Sequence, residues 1–444
     1  MKAAVALEKE SDPEMSASKK DDIKPTSRGW MVWFIAAFFY LYEYVLRASP
    51  SIMTEQLMQD FAMTTTSLGI LSSMYYYAYT PLQIPCGLIV DRLGARLVIT
   101  LSCALCVIGT FMFSYAHDLF LAQAGRFVMG AGSACAFLST LKLVSDWFPP
   151  KYFAVLSGMT TMIGITTGGY LVGKPFALFV NSLSWREAMF WTAIFGVAVT
   201  ALCWFVIKNT PTETKGESKP ASNSSILQDL GVLVRSKQTW LVSLYGCFFY
   251  VPVSVFSELW AIPYIMKKYS LDNAEAASIS VMLILGKGVG APGIALLSNY
   301  FQSRRKVMFL GSFLATIAFI AAIYLPVPIW MMESLLFITG ACAGAQVICF
   351  ALNQEINPSE LSATSVGFTN TVVMLSGIVF QPLLGAFLDF AWDGKLSDGG
   401  TRLYGLDAYQ TAMIALPICL LISWGFVFFI KETYPHSDAR SDKK

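Results

Sequence analysis

Seven ionisable side chains fall inside runs that are otherwise apolar: Glu43, Arg47, Arg126, Lys142, Lys174, Glu258 and Lys287. A charge in such surroundings is costly unless it pairs, lines a wet cavity or meets a ligand. Glu43 and Arg47 are four residues apart and share one helix face, as do Tyr40 and Tyr44. At about 1.5 Å per residue, Glu43 and Arg126 reach similar depths from opposite ends of their runs. A carboxylate beside guanidinium groups can work as a proton-linked switch: a proton on Glu43 frees an arginine to hold a substrate anion. The plainer alternative is a permanent Glu43–Arg47 pair that only neutralises burial. Lys287 stands in Gly286-Lys287-Gly288-Val-Gly290, too deep to snorkel, and reads as a cavity cation. Glu258 reads as its counter-ion, a second proton carrier or an amine-binding group. Lys174, between Gly173 and Pro175, interrupts its run. Lys142, Glu333 and Asp389 lie near run ends and read as groups that reach water.

Tyrosines and amides complete the polar inventory. Tyr75, Tyr76, Tyr77 and Tyr79 cannot all face one cavity, but Tyr76 and Tyr79, three apart, can do so together. Phenols offer hydrogen bonds and flat apolar surface at once. Gln346, Asn353, Asn370 and Gln381 are uncharged candidates, although an amide in a helix bundle more often bonds a neighbouring helix. The substrate-binding candidates are therefore Tyr40, Tyr44, Arg47, Tyr76, Tyr79, Arg126, Lys174, Lys287, Gln346, Asn370 and Gln381. Glu43 and Glu258 are the proton-coupling candidates.

Covalent and metal chemistry have little to stand on. The two histidines, His117 and His436, sit at a turn and in the C-terminal tail, and neither H-E-x-x-H nor G-x-S-x-G occurs. Gly286-Lys287-Gly288 is no phosphate loop, because no Ser or Thr follows the lysine. No catalytic residue, metal or cofactor is expected, so the chain reads as a non-enzyme. The nine cysteines all lie in apolar runs, and Cys103-x-x-Cys106 reads as small packing residues rather than a redox motif.

The elements that hold these groups must be membrane helices. Of the 444 residues, 55% are apolar and 14% charged, whereas a soluble domain carries about 25% charged. A net charge of +2 gives no reason to expect nucleic acid. Twelve runs are long enough to span: 29–49, 66–90, 97–116, 119–145, 152–180, 186–208, 239–266, 275–300, 306–326, 329–354, 360–390 and 406–431. Period-two alternation is absent, which excludes a barrel. The polar stretch 209–238 divides the spans six and six. The expected units are an N-tail (1–28, no signal peptide), two six-helix halves (29–208 and 239–431), a linker (209–238) and a C-tail (432–444). Lys and Arg gather in the tails, the linker and the connections on the same side. The opposite connections hold only Arg186, Lys267, Lys268, Lys395 and Arg402. Both termini are thus expected on the cytoplasmic side of the cell (inner) membrane.

The halves repeat one another. Gly87-Leu-Ile-Val-Asp91-Arg92-Leu-Gly94-Ala95-Arg96 after span 2 matches Ala295-Leu-Leu-Ser-Asn299 through Arg304 and Arg305 after span 8. Gly130-Ala-Gly132 in span 4 matches Gly340-Ala-Cys-Ala-Gly344 in span 10. Spans 5 and 11 carry glycines ten apart, Gly158/Gly168 and Gly367/Gly377. Duplicated six-helix halves are a transporter architecture with the substrate site between them.

The Gly87-x-x-x-Asp91-Arg92-x-Gly94-x-Arg96 turn and Arg126-x-x-x-Gly130-x-Gly132 resemble the major facilitator superfamily. The likeness covers residues 29–431. It implies an all-α membrane fold of twelve helices in two pseudo-symmetric halves, and transport by alternating access. Ala95 stands where a basic residue is frequent. The Gly-Pro signature of span 5 in drug/proton antiporters is incomplete, since no proline lies among Gly164, Gly168 and Gly169. Tyr44-x-x-Arg47 is similar to organic phosphate antiporters, whose second arginine in span 7 is missing. Gly125-Arg126-Phe127-Val128-Met-Gly130 is similar to the lysosomal dipeptide transporter group and its bacterial relatives.

Gly87, Asp91, Arg92, Gly94, Arg96 and Asp146 read as a gate at the cytoplasmic rim. Asp91 would face the N-terminal end of span 11, and Arg92 or Arg96 would pair with Asp146. Buried bases outnumber buried acids, which favours carboxylate- or phosphate-bearing solutes. The expectation is a monomeric, proton-coupled symporter of an amino acid, short peptide or organic acid. Rivals are an organic anion or phosphate-ester exchanger, a siderophore or drug exporter, and a non-transporting receptor or scaffold.

Overall fold

A computed structural model describes residues 25–210, 226–358, 361–397 and 400–433. Polar side chains at the helix starts close the first backbone N–H groups that the helix itself leaves open. Thr26, Thr64, Asp118, Ser184, Ser236, Asp272 and Ser303 each accept from an N–H three residues on. Within a bilayer this self-satisfaction of the backbone is obligatory, so apolar runs of this length become helices.

Eleven helices among the described residues are long and apolar enough to cross a membrane. The remaining expected span, Thr65–Leu93, has 29 residues but is less apolar. It carries Tyr75, Tyr76, Tyr77, Tyr79 and Gln83, with Pro81 and Pro85 inside the helix. Among the described residues the only extended pairing is a bridge between Leu396 and Arg402. The expected linker 209–238 is not wholly irregular. Ile226–Arg235 is a helix, and its Leu230 and Leu233 pack with Leu361 and Phe368.

Three spans change pitch partway. Span 5 passes through a π-turn at Met162–Thr167 and breaks at Gly173 before Lys174–Ser182. Span 10 tightens to a 3-10 turn at Gly344–Val347. Span 7, Lys237–Tyr269, widens to a π-helix over Pro252–Trp260, starting at a proline that has no N–H to donate. Glu258 lies in that widened turn.

The internal repeat has a structural counterpart. A Cβ at Gly130 of span 4 would strike the Tyr75 carbonyl of span 2, and one at Gly340 of span 10 would strike the Leu283 carbonyl of span 8. Matching glycines let matching helix pairs touch backbone to backbone. One pairing departs from the sequence reading: Cys86 of span 2 and Cys135 of span 4 form a disulfide across two packed helices. Two apolar runs can still set two thiols face to face once their helices pack.

The halves meet on the face away from the termini. Span 2 and span 11 (Ser362–Phe390) run in antiparallel register there. Thr65 donates to the Gly385 carbonyl at 2.9 Å, a Cβ at Gly69 would lie 2.6 Å from the Gln381 carbonyl, and Ser73 donates to the Gly377 carbonyl at 2.9 Å. Spans 5 and 8 match this: a Cβ at Gly169 would meet Ile284 at 2.6 Å, and one at Gly173 would meet the Ala277 carbonyl at 3.5 Å. Asn273 donates to the Ile52 carbonyl at 2.6 Å, joining span 8 to the end of span 1. Toward the terminal face the glycines of these spans are not pressed in this way. Among the described residues, a Cβ at Gly158, Gly293 or Gly367 would meet nothing within 4 Å.

Candidate functional site

The polar groups gather just beneath the closed end of this seam. Span 1 brings Tyr40, Glu43, Tyr44 and Arg47 to it, all buried. Glu43 and Arg47 share a face as expected but are not within ion-pair distance. Tyr75 donates to Glu43 Oε2 at 2.5 Å, and Glu43 Oε1 has no hydrogen-bond partner. Arg47 turns instead across the seam, its Nε 3.7 Å from Glu258 Oε1. Tyr76 of span 2 donates to Glu258 Oε2. Glu258, on the second half, is therefore held by two side chains of the first half. The Arg47 guanidinium also lies over the Tyr44 ring, 4.6 Å from its centroid.

Lys287 is the other buried cation at this level, with Nζ 4.1 Å from the Tyr250 ring centroid. Such a contact holds an ammonium weakly and leaves its charge available to an incoming anion. Gly286 and Gly290 let span 8 press against span 10, fixing the lysine between them.

Arg126 has a different occupation. It donates to the carbonyls of Leu46 (2.6 Å), Arg47 (3.1 Å) and Ser72 (3.3 Å), and its guanidinium lies over the Tyr75 ring at 5.2 Å. Leu46 and Arg47 are among the last residues of helix Ser27–Ala48, whose end carbonyls lack helical partners. Arg126 thus ties span 4 to the end of span 1 and holds Tyr75, and through Tyr75 it supports Glu43. It does not contact Glu43 directly.

The remaining candidates divide. Tyr79 is buried, stacks on Tyr75 at 5.8 Å and lies beside Asn370, which is half-buried. Gln346 is buried in the 3-10 turn of span 10. Gln381 donates to the Ser254 carbonyl at 2.6 Å and accepts from Ser73 at 3.4 Å, so it joins spans 7, 11 and 2. Asn353 bonds Ser243 and Thr369 and serves helix packing. Tyr40 packs on Phe137 and fills the space that Gly164 leaves. Lys174 is exposed at the break of span 5, and the fold does not bring it to the cluster.

Five participants were absent from the sequence reading or taken for bystanders. Tyr75 and Tyr250 hold Glu43 and Lys287, and the Ser254–Ser376 hydroxyl pair, 2.8 Å apart, braces the π-helix against span 11. Asp389 was expected to reach water. It accepts instead from the N–H (2.9 Å) and hydroxyl (2.5 Å) of Thr66 on the other half, and from Tyr404 (2.5 Å) and Arg402 (3.2 Å) on its own. It caps the start of span 2 and seals the far face. Burial and the neighbouring carboxylate hold the Tyr404 hydroxyl above the usual phenol range, so it stays a donor.

At the terminal rim, the Asp91 side chain lies outside the described residues. Arg92 is exposed. Gly94 reverses the chain at φ +80°, and Asn209 fills the space beside it. Arg96 donates from its backbone to Asn209 (2.8 Å) and from its guanidinium to the Trp204 carbonyl (3.1 Å). Asp146 lies 3.8 Å from Lys142, one turn back. Around Gly87 a Cβ would find open space among the described residues.

Comparisons with known proteins fit this geometry. A family model described as Major Facilitator Superfamily matches residues 32–380 and 253–444. The chain is 27% identical over 216 residues to the D-galactonate transporter of Escherichia coli, and so spans about half of that relative's length (48% of each chain). It is 23% identical over 376 residues to the hexuronate transporter of Bacillus subtilis, covering 78% of this chain and 85% of that one. A bacterial homologue of the human lysosomal transporter Spinster, solved inward-facing and occupied, superposes with a TM-score of 0.72. It does so at 18% identity over 91% of this chain and 97% of its own.

Proposed function

The chain belongs to the Major Facilitator Superfamily, a multi-pass membrane transporter and not an enzyme, and from that premise we propose a proton-coupled carrier for a small carboxylate-bearing solute. Amino acids, short peptides and organic acids fit this class. The observation that carries the reading is the buried Arg47–Glu258–Tyr76 contact, which joins the halves beside Lys287 and one turn from Glu43. The relatives named as galactonate and hexuronate transporters support an anionic solute. The placement of basic residues supports the cell (inner) membrane with both termini cytoplasmic. In that orientation the far-face contacts close the site to the outside.

Coupling then follows from which carboxylate holds Arg47. With a proton on Glu43, the carboxyl needs no cation, and Arg47 is committed to Glu258 across the seam. When Glu43 gives up its proton, it presents a charge on the same helix face as Arg47, four residues away. Arg47 turns back to it, Glu258 loses its cross-seam cation, and the far face is free to part. A substrate carboxylate on Lys287 draws Arg47 away from Glu258 in the same way, so the solute-loaded carrier parts with the proton still on Glu43, and only the return of the empty carrier needs that proton released. Each proton moved resets one arginine, and the halves rock about the site.

The test is transport in proteoliposomes under an imposed pH gradient. A panel of amino acids, dipeptides, sugar acids and phosphate esters is offered. Accumulation of a carboxylate-bearing solute that vanishes when the gradient is collapsed is the expected result. Uptake that ignores the gradient removes the proton from the account, and a preference for phosphate esters removes the substrate class.

A further inference from the structure

The two halves hold the starts of spans 3 and 9 alike, and then differ. In the first half, the start of span 3 is held by Asn209, which accepts from the Arg96 N–H, and by Arg96, which donates to the Trp204 carbonyl of span 6. In the second half, Glu432 accepts from the N–H groups of Arg304 (2.9 Å) and Arg305 (3.1 Å) and from the Ser303 hydroxyl. Arg305 donates to the carbonyls of Val427 (2.9 Å) and Phe428 (2.8 Å) of span 12. The arrangement is the same, an acceptor at the helix start and an arginine clasping the last turn of the neighbouring span. In the first half the Trp204 ring lies over the arginine at 4.5 Å. In the second half a groove of about 640 Å³ opens beside it, between the start of span 9 and the end of span 12.

The groove is graded along the bilayer normal. Its rim on the terminal face carries Arg305 and the exposed Lys306, in the first turn of span 9. One turn deeper its wall is Phe309, Leu310 and Phe428, of which Leu310 and Phe428 are exposed. Phe309 and Phe428 pack edge to face at 5.5 Å and keep the wall continuous. Glu432 lines the same groove, where it accepts from the N–H groups of Arg304 and Arg305 and from the Ser303 hydroxyl, so the groove carries two cations against one acid. A soluble anion would meet the rim but waste the wall, and a neutral lipid would cover the wall but leave the rim unmatched. A cationic rim over an apolar wall, opening sideways from membrane helices, matches one class of molecule.

We propose that the groove between spans 9 and 12 is a binding site for an anionic phospholipid of the terminal-side leaflet. The lipid phosphate is taken by Arg305 and Lys306, and the upper part of its acyl chains lies on Phe309, Leu310 and Phe428. This reading is independent of which solute is carried. A lipid seated there clamps the start of span 9 to the end of span 12, and so stiffens the rim of the second half as it rocks.

The experiment uses the full-length protein, purified in a mild detergent and exposed to vesicles of phosphatidylglycerol, of phosphatidylcholine, or to inorganic phosphate alone. Retained lipid is counted by native mass spectrometry and the melting temperature is followed in parallel. The expected result is retained phosphatidylglycerol with a raised melting temperature, and neither effect from phosphatidylcholine or inorganic phosphate. Lys306→Ala should weaken phosphatidylglycerol retention about fivefold, the scale of one surface charge at an anionic leaflet. Lys306→Glu should weaken it further, and Leu310→Asp should do so with the rim intact. Equal retention of the two lipids, stabilisation by phosphate alone, or unchanged retention in Lys306→Glu would each overturn the site. Lys306 is exposed, so its variants are expected to fold, and their melting temperature in the absence of lipid verifies this.

Discussion

Two carboxylates lie within one buried cluster and are held in opposite ways. Glu43 is contained within one half: Tyr75 binds one oxygen and Arg126 supports Tyr75 from behind. Glu258 is shared, belonging to the second half while Arg47 and Tyr76 of the first half grip it. A group contained in one half travels with that half, and its proton acts on the seam only through Arg47. A group gripped across the seam must be released before the halves part. Under the proposed function, this difference gives the proton to Glu43 and the latch to Glu258, with Arg47 as the part that moves between them.

This assignment breaks most readily at Glu258. Glu258→Gln leaves Arg47 buried without its cross-seam charge, a loss of about 3–5 kcal/mol for such pairs. Both gradient-driven uptake and gradient-free exchange should fall by a hundredfold or more, on the order of that energy. If exchange survives at the native rate, Glu258 is not the latch. Lys287→Ala comes next. Losing one charge-assisted bond of about 1.5–3 kcal/mol should weaken substrate binding about tenfold to a hundredfold. Equilibrium binding in detergent measures it, and unchanged affinity returns Lys287 to a packing role. The smallest effect is expected at the seal. Asp389→Asn weakens the cap on span 2 by about 1 kcal/mol, and should raise the labelling rate of a cysteine placed at Thr65 about fivefold. An unchanged rate would mean the glycine contacts alone hold the far face shut.

Much of this was legible in the chain itself, and the rest was not for definite reasons. Apolar length and polar caps suffice to place the helices, because the backbone has no alternative partner in lipid. The least apolar span, Thr65–Leu93, is also the one that carries the tyrosines and the seam. The buried charges were visible as charges, but their partners were not. Tyr75 and Tyr76 are neighbours in sequence, yet point about 100° apart on a helix, so one reaches Glu43 in its own half and the other Glu258 across the seam. No spacing rule distinguishes them without the helix tilt. Arg126 looked like a cavity cation because nothing in a motif shows that the bare carbonyls at the end of span 1 lie against it. Asp389 looked solvent-bound because one partner, Thr66, lies 323 residues away and the other, Tyr404, returns to it only through the fold of the loop after span 11. The Cys86–Cys135 bridge joins residues 49 apart, and only the packing of spans 2 and 4 brings them together.

The division of labour between the two acids has one decisive test, in Glu43→Gln. Its side chain keeps a hydrogen bond with Tyr75 and cannot change charge. The account predicts that solute accumulation driven by a pH gradient is abolished in this variant, while exchange of labelled for unlabelled solute across the same vesicles stays within about threefold of the native rate, the scale of about 0.6 kcal/mol. Persistent gradient-driven accumulation in Glu43→Gln would contradict it.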